Sequence, residues 1–133
     1  MTAGYSGTPL AAKLGIKPGS RTLLVAAPEL SALSIPAGAV LHRRQGSGPY
    51  DVVLLFAPDL ASLVRRFAPL IPAVTTAGAL WVCWPKRASG VPTDLDENVV
   101  REHGLTAGLV DVKIAAVDAT WSGLKFVRRL ADR

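Results

Sequence analysis

The chain contains a single cysteine, Cys83. That excludes an internal disulfide framework and any cysteine-rich metal site. Long apolar runs are missing too. Half of the residues are hydrophobic and the mean hydropathy is +0.32, yet no stretch approaches the ~20 residues that span a bilayer. Pro58, Pro69, Pro72, Gly78 and Pro85 break the longest runs, and no membrane partner is expected. The opening MTAGYSGTP has neither a basic start nor an apolar core, so the expectation is a cytoplasmic protein without a signal peptide. His42 and His103 are far apart and lack partners at metal-ligand spacing, so no metal site is expected. There is no P-loop, no G-x-S-x-G elbow and no H-E-x-x-H helix. Repeats, linkers and low-complexity tracts are absent as well.

What remains is a chain of 133 residues, long enough for a single domain around one core. Residues 1–133 are read as one α/β domain, with 1–7 as a flexible amino-terminal arm. The formal net charge is +5 and the pI about 9.9. The positive charges come in pairs: Arg43-Arg44, Arg65-Arg66, Lys86-Arg87 and Arg128-Arg129. Nucleic-acid binding would gather such charges on one face. Spread along the chain as they are, they read as strand ends and solvated helix faces.

Taken in order, Thr8 and Pro9 open a short helix that Gly15 stops. Arg21–Ala27 reads as a buried strand, 29–33 as a brief helical turn, and Ala39–His42 as a second strand. Tyr50–Phe56 is a third, continuously apolar one. Leu60, Leu63, Val64, Phe67, Leu70 and Ile71 then form one stripe of an amphipathic helix, which Pro69 ends or kinks. The stretch Gly78–Asp94 organises the chain. Its apolar strand, 79–84, stops at Pro85-Lys86, a small-residue loop follows, and a helix runs from Asp94 to about His103 with Gly104 as its stop. Two strands close the chain, 109–118 and 124–130, joined by a loop over 119–123. The expected fold is a small Rossmann-like, mostly parallel sheet with a carboxyl-terminal antiparallel hairpin, in strand order 2-1-3-4-6-5. An α+β sandwich with helices on one face is the alternative.

Several stretches carry a resemblance. Ile16-Lys17-Pro18-Gly19-Ser20-Arg21-Thr22-Leu23-Leu24 resembles the run that leads into the first strand of class I S-adenosylmethionine-dependent methyltransferases. Tyr50-Asp51-Val52-Val53-Leu54 and Ala77-Gly78-Ala79-Leu80-Trp81-Val82 are similar to later strands of that family, in the same order. The resemblance implies a methyltransferase-like fold and an S-adenosylmethionine site, and the chain departs from the family at that site. The glycine-rich turn expected after the first strand is replaced by Ala26-Ala27-Pro28-Glu29-Leu30. The acidic residue expected after the second strand, for the ribose hydroxyls, is replaced by His42-Arg43-Arg44. A strand–helix unit between these regions is missing too. A second resemblance is to an uncharacterised bacterial family of short proteins, a domain of unknown function. Ala12-Lys13-Leu14-Gly15, Asp51–Leu54, Trp81–Lys86 and Trp121-Ser122-Gly123-Leu124-Lys125 carry it, and it implies no particular activity.

Ligands of open α/β sheets sit outside the carboxyl ends of the strands. Lys86 and Arg87 supply charge there, and the loop amides around Ser89, Gly90 and Thr93 supply oriented donors for an anion. Trp84 and Trp121 offer flat apolar walls and Lys125 a second ammonium. The expected site therefore comprises Trp84, Lys86, Ser89, Thr93, Trp121 and Lys125, lying between 85–93 and 121–125. Trp81 and Trp84, three apart in a strand, should point to opposite faces. Cys83 reads as an inert buried thiol, and Asp94, Asp96 and Glu97 as helix-capping acids. The favoured function is a non-catalytic domain that binds a small anionic ligand or takes part in an interaction, with no cofactor expected. The alternatives are a small methyltransferase-like transferase with an altered cofactor mode, and a basic nucleic-acid-binding protein. Oligomeric state is left open.

Overall fold

The computed structural model describes residues 8–133; the flexible arm expected at 1–7 falls outside the described residues. The elements are α1 (Leu10–Leu14), β1 (Arg21–Val25), β2 (Val40–His42), β3 (Tyr50–Phe56), α2 (Leu60–Leu70), β4 (Val74–Pro85), α3 (Glu97–Thr106), β5 (Leu109–Ala116) and β6 (Trp121–Arg128). The sheet order is β2-β1-β3-β4-β6-β5, as the sequence pattern predicts. Strands β2, β1, β3 and β4 run parallel, and β6 is antiparallel to both of its neighbours, β4 and β5. The result is a Rossmann-like α/β sheet with an antiparallel carboxyl-terminal part.

The central strands are continuously apolar because both faces of the sheet are covered. On one face α2 and α3 lay Leu63, Phe67, Leu70 and Val100 against Leu55, Val82, Leu124 and Phe126. On the other, α1 and the segment after β1 lay Leu10, Leu14 and Leu30 against Leu54, Phe56, Trp81 and Cys83. Strand alternation therefore sends Trp81 to the α1 face and Trp84 to the α2–α3 face, as their spacing requires. The Trp81 indole N–H donates to the Leu14 carbonyl at 3.1 Å, which fastens α1 to the sheet.

Several local expectations change. Segment 29–33 forms a turn, with Leu33 N–H donating to the Leu30 carbonyl, and no helix. Prolines 28 and 36 bracket the segment, and its only backbone hydrogen bond of this kind is that single turn. The N-cap position of α1 is Pro9 rather than Thr8, while Gly15 closes the helix in a left-handed conformation as expected. In α2 only Leu63, Phe67 and Leu70 of the predicted stripe are buried, and Leu60 and Val64 face outward. Strand β4 begins at Val74, earlier than predicted. Between the pairs Tyr50–Val74 and Val52–Ala79 its extra residues bulge out. Gly78 permits this, since a Cβ there would lie 2.7 Å from the Asp51 carbonyl oxygen. The closing strand starts at Trp121, so the hairpin loop is 117–120. Asp118 shapes that loop by accepting from the Thr120 and Trp121 amides.

Helix α3 differs most. It starts after Asp96, whose carboxylate caps the Val99 amide, and runs through Gly104 instead of stopping there. Gly104 is where α3 touches the sheet, with the Phe126 ring in the space a side chain would fill.

Candidate functional site

At the carboxyl ends of the parallel strands the backbone emerges at Ala26, Ala57 and Lys86, and Trp121 opens β6 beside them. The Lys86 amide donates to the Thr120 carbonyl at 2.8 Å, joining the loop after β4 to the hairpin loop. That loop is held by its own small residues. Ser89 Oγ donates to the Lys86 carbonyl and accepts from the Val91 amide. Thr93 Oγ1 donates to the Pro58 carbonyl at 2.7 Å and accepts from the Leu95 amide. The Asp94 carboxylate reaches the Leu60 amide and caps α2 from across the edge, so it belongs to α2 rather than to α3. Asp59 caps α2 from within, and hydrogen bonding to Ser62 holds its carboxyl below the usual value. Ser89 thus acts first as a brace on Lys86, and Thr93 ties the far end of the loop to Pro58. The Lys86 side chain is half-buried and has no ion pair among the described residues.

A cavity of about 370 Å³ opens beside this loop, lined by Trp84, Arg87, Pro92, Thr93, Leu95 and Asp96. Trp84 is only 4% exposed, so most of its ring is core and only its rim meets the cavity. Trp121 lies on the opposite face, half-buried, with its ring edge-on to Phe56 at 5.1 Å. Lys125 is not at this edge. It pairs with Trp81 in the middle of β4 and with Lys113 on β5. Its side chain lines a cavity of about 420 Å³ near the start of the parallel strands, together with Lys17, Ser20, Asp51 and Thr75. Burial, then Lys113 and Lys17, push its ammonium below the usual lysine value. The six predicted residues therefore do not form one cluster. Lys86, Ser89 and Thr93 stay together, Trp84 and Trp121 flank them on opposite faces, and Lys125 belongs to a different cavity.

The structure also gathers residues that the sequence reading left apart. Arg43 and Gln45, after β2, face Arg65 and Arg66 of α2 across a groove of about 350 Å³. The paired arginines were the available signal, but which pairs meet depends on where α2 crosses the sheet.

Elsewhere the chemistry is quiet. Burial raises the Cys83 thiol far above its usual value, which fits an inert core thiol. No cluster among the described residues has the ligands for a metal ion, and none of their helices is long and apolar enough to cross a membrane.

A parallel sheet in this order, closed by an antiparallel pair, is a methyltransferase-like fold, shorter by one strand–helix unit than the class I S-adenosylmethionine-dependent methyltransferases. Among solved structures the chain is similar to magnesium protoporphyrin IX methyltransferase from Synechocystis PCC 6803 with bound S-adenosylmethionine. The TM-score is 0.61 at 13% identity, over 90% of this chain and 74% of that one. It is also similar to the ribosomal protein L11 methylase from Lactobacillus delbrueckii subsp. bulgaricus, with a TM-score of 0.57 at 10% identity, over 90% and 75% of the two chains. No family model matches the chain, and no curated protein matches it.

The protoporphyrin methyltransferase holds S-adenosylmethionine, and at the strand ends of this chain the residues present fit that cofactor poorly. After β1, Ala26 takes a left-handed conformation (φ 56°) that glycine adopts freely, at the position where the resemblance expects a glycine-rich turn. Two residues on, Pro28 has no N–H to offer a carboxylate or hydroxyl. At the tip of β2 no carboxylate is available for ribose hydroxyls: His42 Nδ1 is 2.6 Å from the Tyr50 hydroxyl, and Arg43 and Arg44 follow it.

Proposed function

We propose that this chain is a binding domain on a methyltransferase fold, holding a small anionic ligand at the carboxyl edge without transferring a methyl group. The observation that carries the reading is the tip of β2, where arginines and a histidine already engaged by Tyr50 stand in place of a ribose-binding carboxylate. Hydrogen-bond acceptors for a diol are thus replaced by donors and positive charge, which favour an anion. At the rim, Lys86 supplies charge over a loop braced by Ser89 and Thr93, and Trp121 supplies a wall.

Calorimetry with S-adenosylmethionine tests the first half, and no heat of binding is expected. Micromolar affinity would instead favour a transferase with an altered cofactor mode, a second reading supported by the left-handed backbone at Ala26, where a glycine-rich turn would place glycine. A thermal-shift screen of small carboxylates and phosphates tests the second half, because a ligand of the native state raises the melting temperature by mass action. For a ligand found that way, Lys86→Ala should cost about 1.5–3 kcal/mol of binding, the worth of a charged hydrogen bond. Trp121→Ala should weaken binding and leave the chain folded. Unchanged affinity in Lys86→Ala would remove the carboxyl edge from consideration.

A further inference from the structure

Strand β2 ends at His42, and β3 begins at Tyr50 on the far side of β1. Such a crossover takes about a dozen residues or more and usually contains a helix; here residues 43–49 make it alone. The loop is pinned where it rejoins the sheet. Arg21 Nε and Nη2 donate to the Pro49 and Ser47 carbonyls, and the Gly46 amide donates to the Tyr50 hydroxyl. With no helix to fill it, the space over β1 stays open as a groove between this loop and α2. Val25, Ala26 and Pro69 form its accessible apolar floor over the buried Leu23 and Leu70, with Arg43 and Gln45 on one wall and Arg65 and Arg66 on the other. No carboxylate lines it. None of the three guanidinium groups has a hydrogen bond or ion pair among the described residues. Asp59, which feels the charge of Arg65, has its own carboxylate engaged by the Ser62 amide.

Three like charges around one apolar floor repel one another, and a polyvalent anion relieves that repulsion. Guanidinium forks match the oxygens of a phosphate group in pairs. We propose that this groove binds a phosphate ester, with the phosphate between Arg43 and the Arg65-Arg66 pair and the organic part on Val25, Ala26 and Pro69. The groove lies over β1, across β3 from Lys86; it shares Arg43 with the tip of β2 on which the proposed function rests, whereas Arg65 and Arg66 belong to it alone and their double variant tests it separately. The same phosphate chemistry is carried by a free nucleotide and by the backbone of a single-stranded nucleic acid.

Both sources are tested on the full chain, with ATP by calorimetry and a labelled single-stranded oligonucleotide by fluorescence anisotropy, each at low and high salt. Wild type should bind at least one probe. The Arg65→Ala/Arg66→Ala double variant should lose roughly tenfold to a hundredfold in affinity, and Arg43→Ala about tenfold. Lys113→Ala, an exposed change on β5, should leave affinity unchanged. Melting temperatures should stay at the wild-type value, since the groove arginines are exposed and unpaired. Binding of ATP identifies a free phosphate ester as the ligand. Binding of the oligonucleotide alone, with affinity falling steeply as salt rises, identifies a nucleic-acid backbone. Failure of both probes at low salt, or equal affinity in the wild type and the Arg65/Arg66 variant, overturns the proposal.

Discussion

Replacing Gly104 by alanine tests how α3 is docked on the sheet. In an exposed helix interior that change stabilises by about 1 kcal/mol, because glycine carries more backbone entropy into the unfolded state. Here a Cβ would sit 2.0 Å from Cε1 of Phe126 and within 2.5 Å of two more ring carbons. The ring has nowhere to go. Phe126 is fully buried and edge-on to Phe67 at 5.6 Å, and Phe67 is itself edge-on to His103 at 5.2 Å. Overpacking of a dense core costs about 1–3 kcal/mol, and a contact this short belongs at the upper end. Set against the helix gain, the net loss is about 2 kcal/mol, or roughly 8 °C in Tm for a chain of this size. Thermal melts and urea titrations would measure it, with the urea slope unchanged if only stability is altered. The Phe126→Leu change made in the Gly104→Ala background should recover part of the loss, giving a coupling of about 1 kcal/mol between the two sites. A Gly104→Ala variant as stable as wild type, or more so, would refute the close approach of helix and strand.

Ala26→Gly should stabilise by up to about 1 kcal/mol, because Ala26 holds a left-handed backbone that glycine adopts without penalty; a lower melting temperature would contradict the assigned turn. Trp81→Phe removes the donor to the Leu14 carbonyl, a net hydrogen bond of about 1 kcal/mol. Faster amide exchange in 10–14 than in 97–106 is the expected signature, and uniform change would argue against an α1 anchor. For Asp111, the hydrogen bond from Arg101 holds the carboxyl below its usual value, and Arg101 also pairs with Glu97 on α3. A folded-state value below the unfolded one means that the stabilisation is present above the unfolded carboxylate range, about pH 4, and is lost as pH falls through the folded value. Asp111→Asn should therefore flatten the acid limb of the stability curve; a limb parallel to wild type would contradict the linkage. The Cys83 thiol should react with a thiol reagent only as fast as the chain unfolds, because it is fully buried and its pKa is raised by burial. Rapid labelling under native conditions would show an opening at the centre of β4.

What the sequence alone determined was the sheet. Continuously apolar stretches such as 52–56 and 79–84 require cover on both faces, which only a parallel sheet between layers provides, and their order along the chain left few topologies. Alternation along a strand likewise sends Trp81 and Trp84 to opposite faces whatever packs on them. Alternation does not say which face receives the helices or how far along a neighbour each residue lies. Those follow from register, and register put Lys125 beside the middle of β4 rather than at its end. The stop expected at Gly104 failed for a related reason. A helix-ending glycine and one that admits a neighbouring ring look the same in a sequence, and only the position of Phe126 on β6 separates them. The arginines followed the same rule. Arg43 and Arg65-Arg66 are distant in sequence, and they share a groove because β2 sits at the edge of the sheet, its loop crosses β1 without a helix, and α2 stops short of covering the gap. Contacts between segments far apart in the chain depend on the packing of everything between them, and that was decided by the tertiary structure.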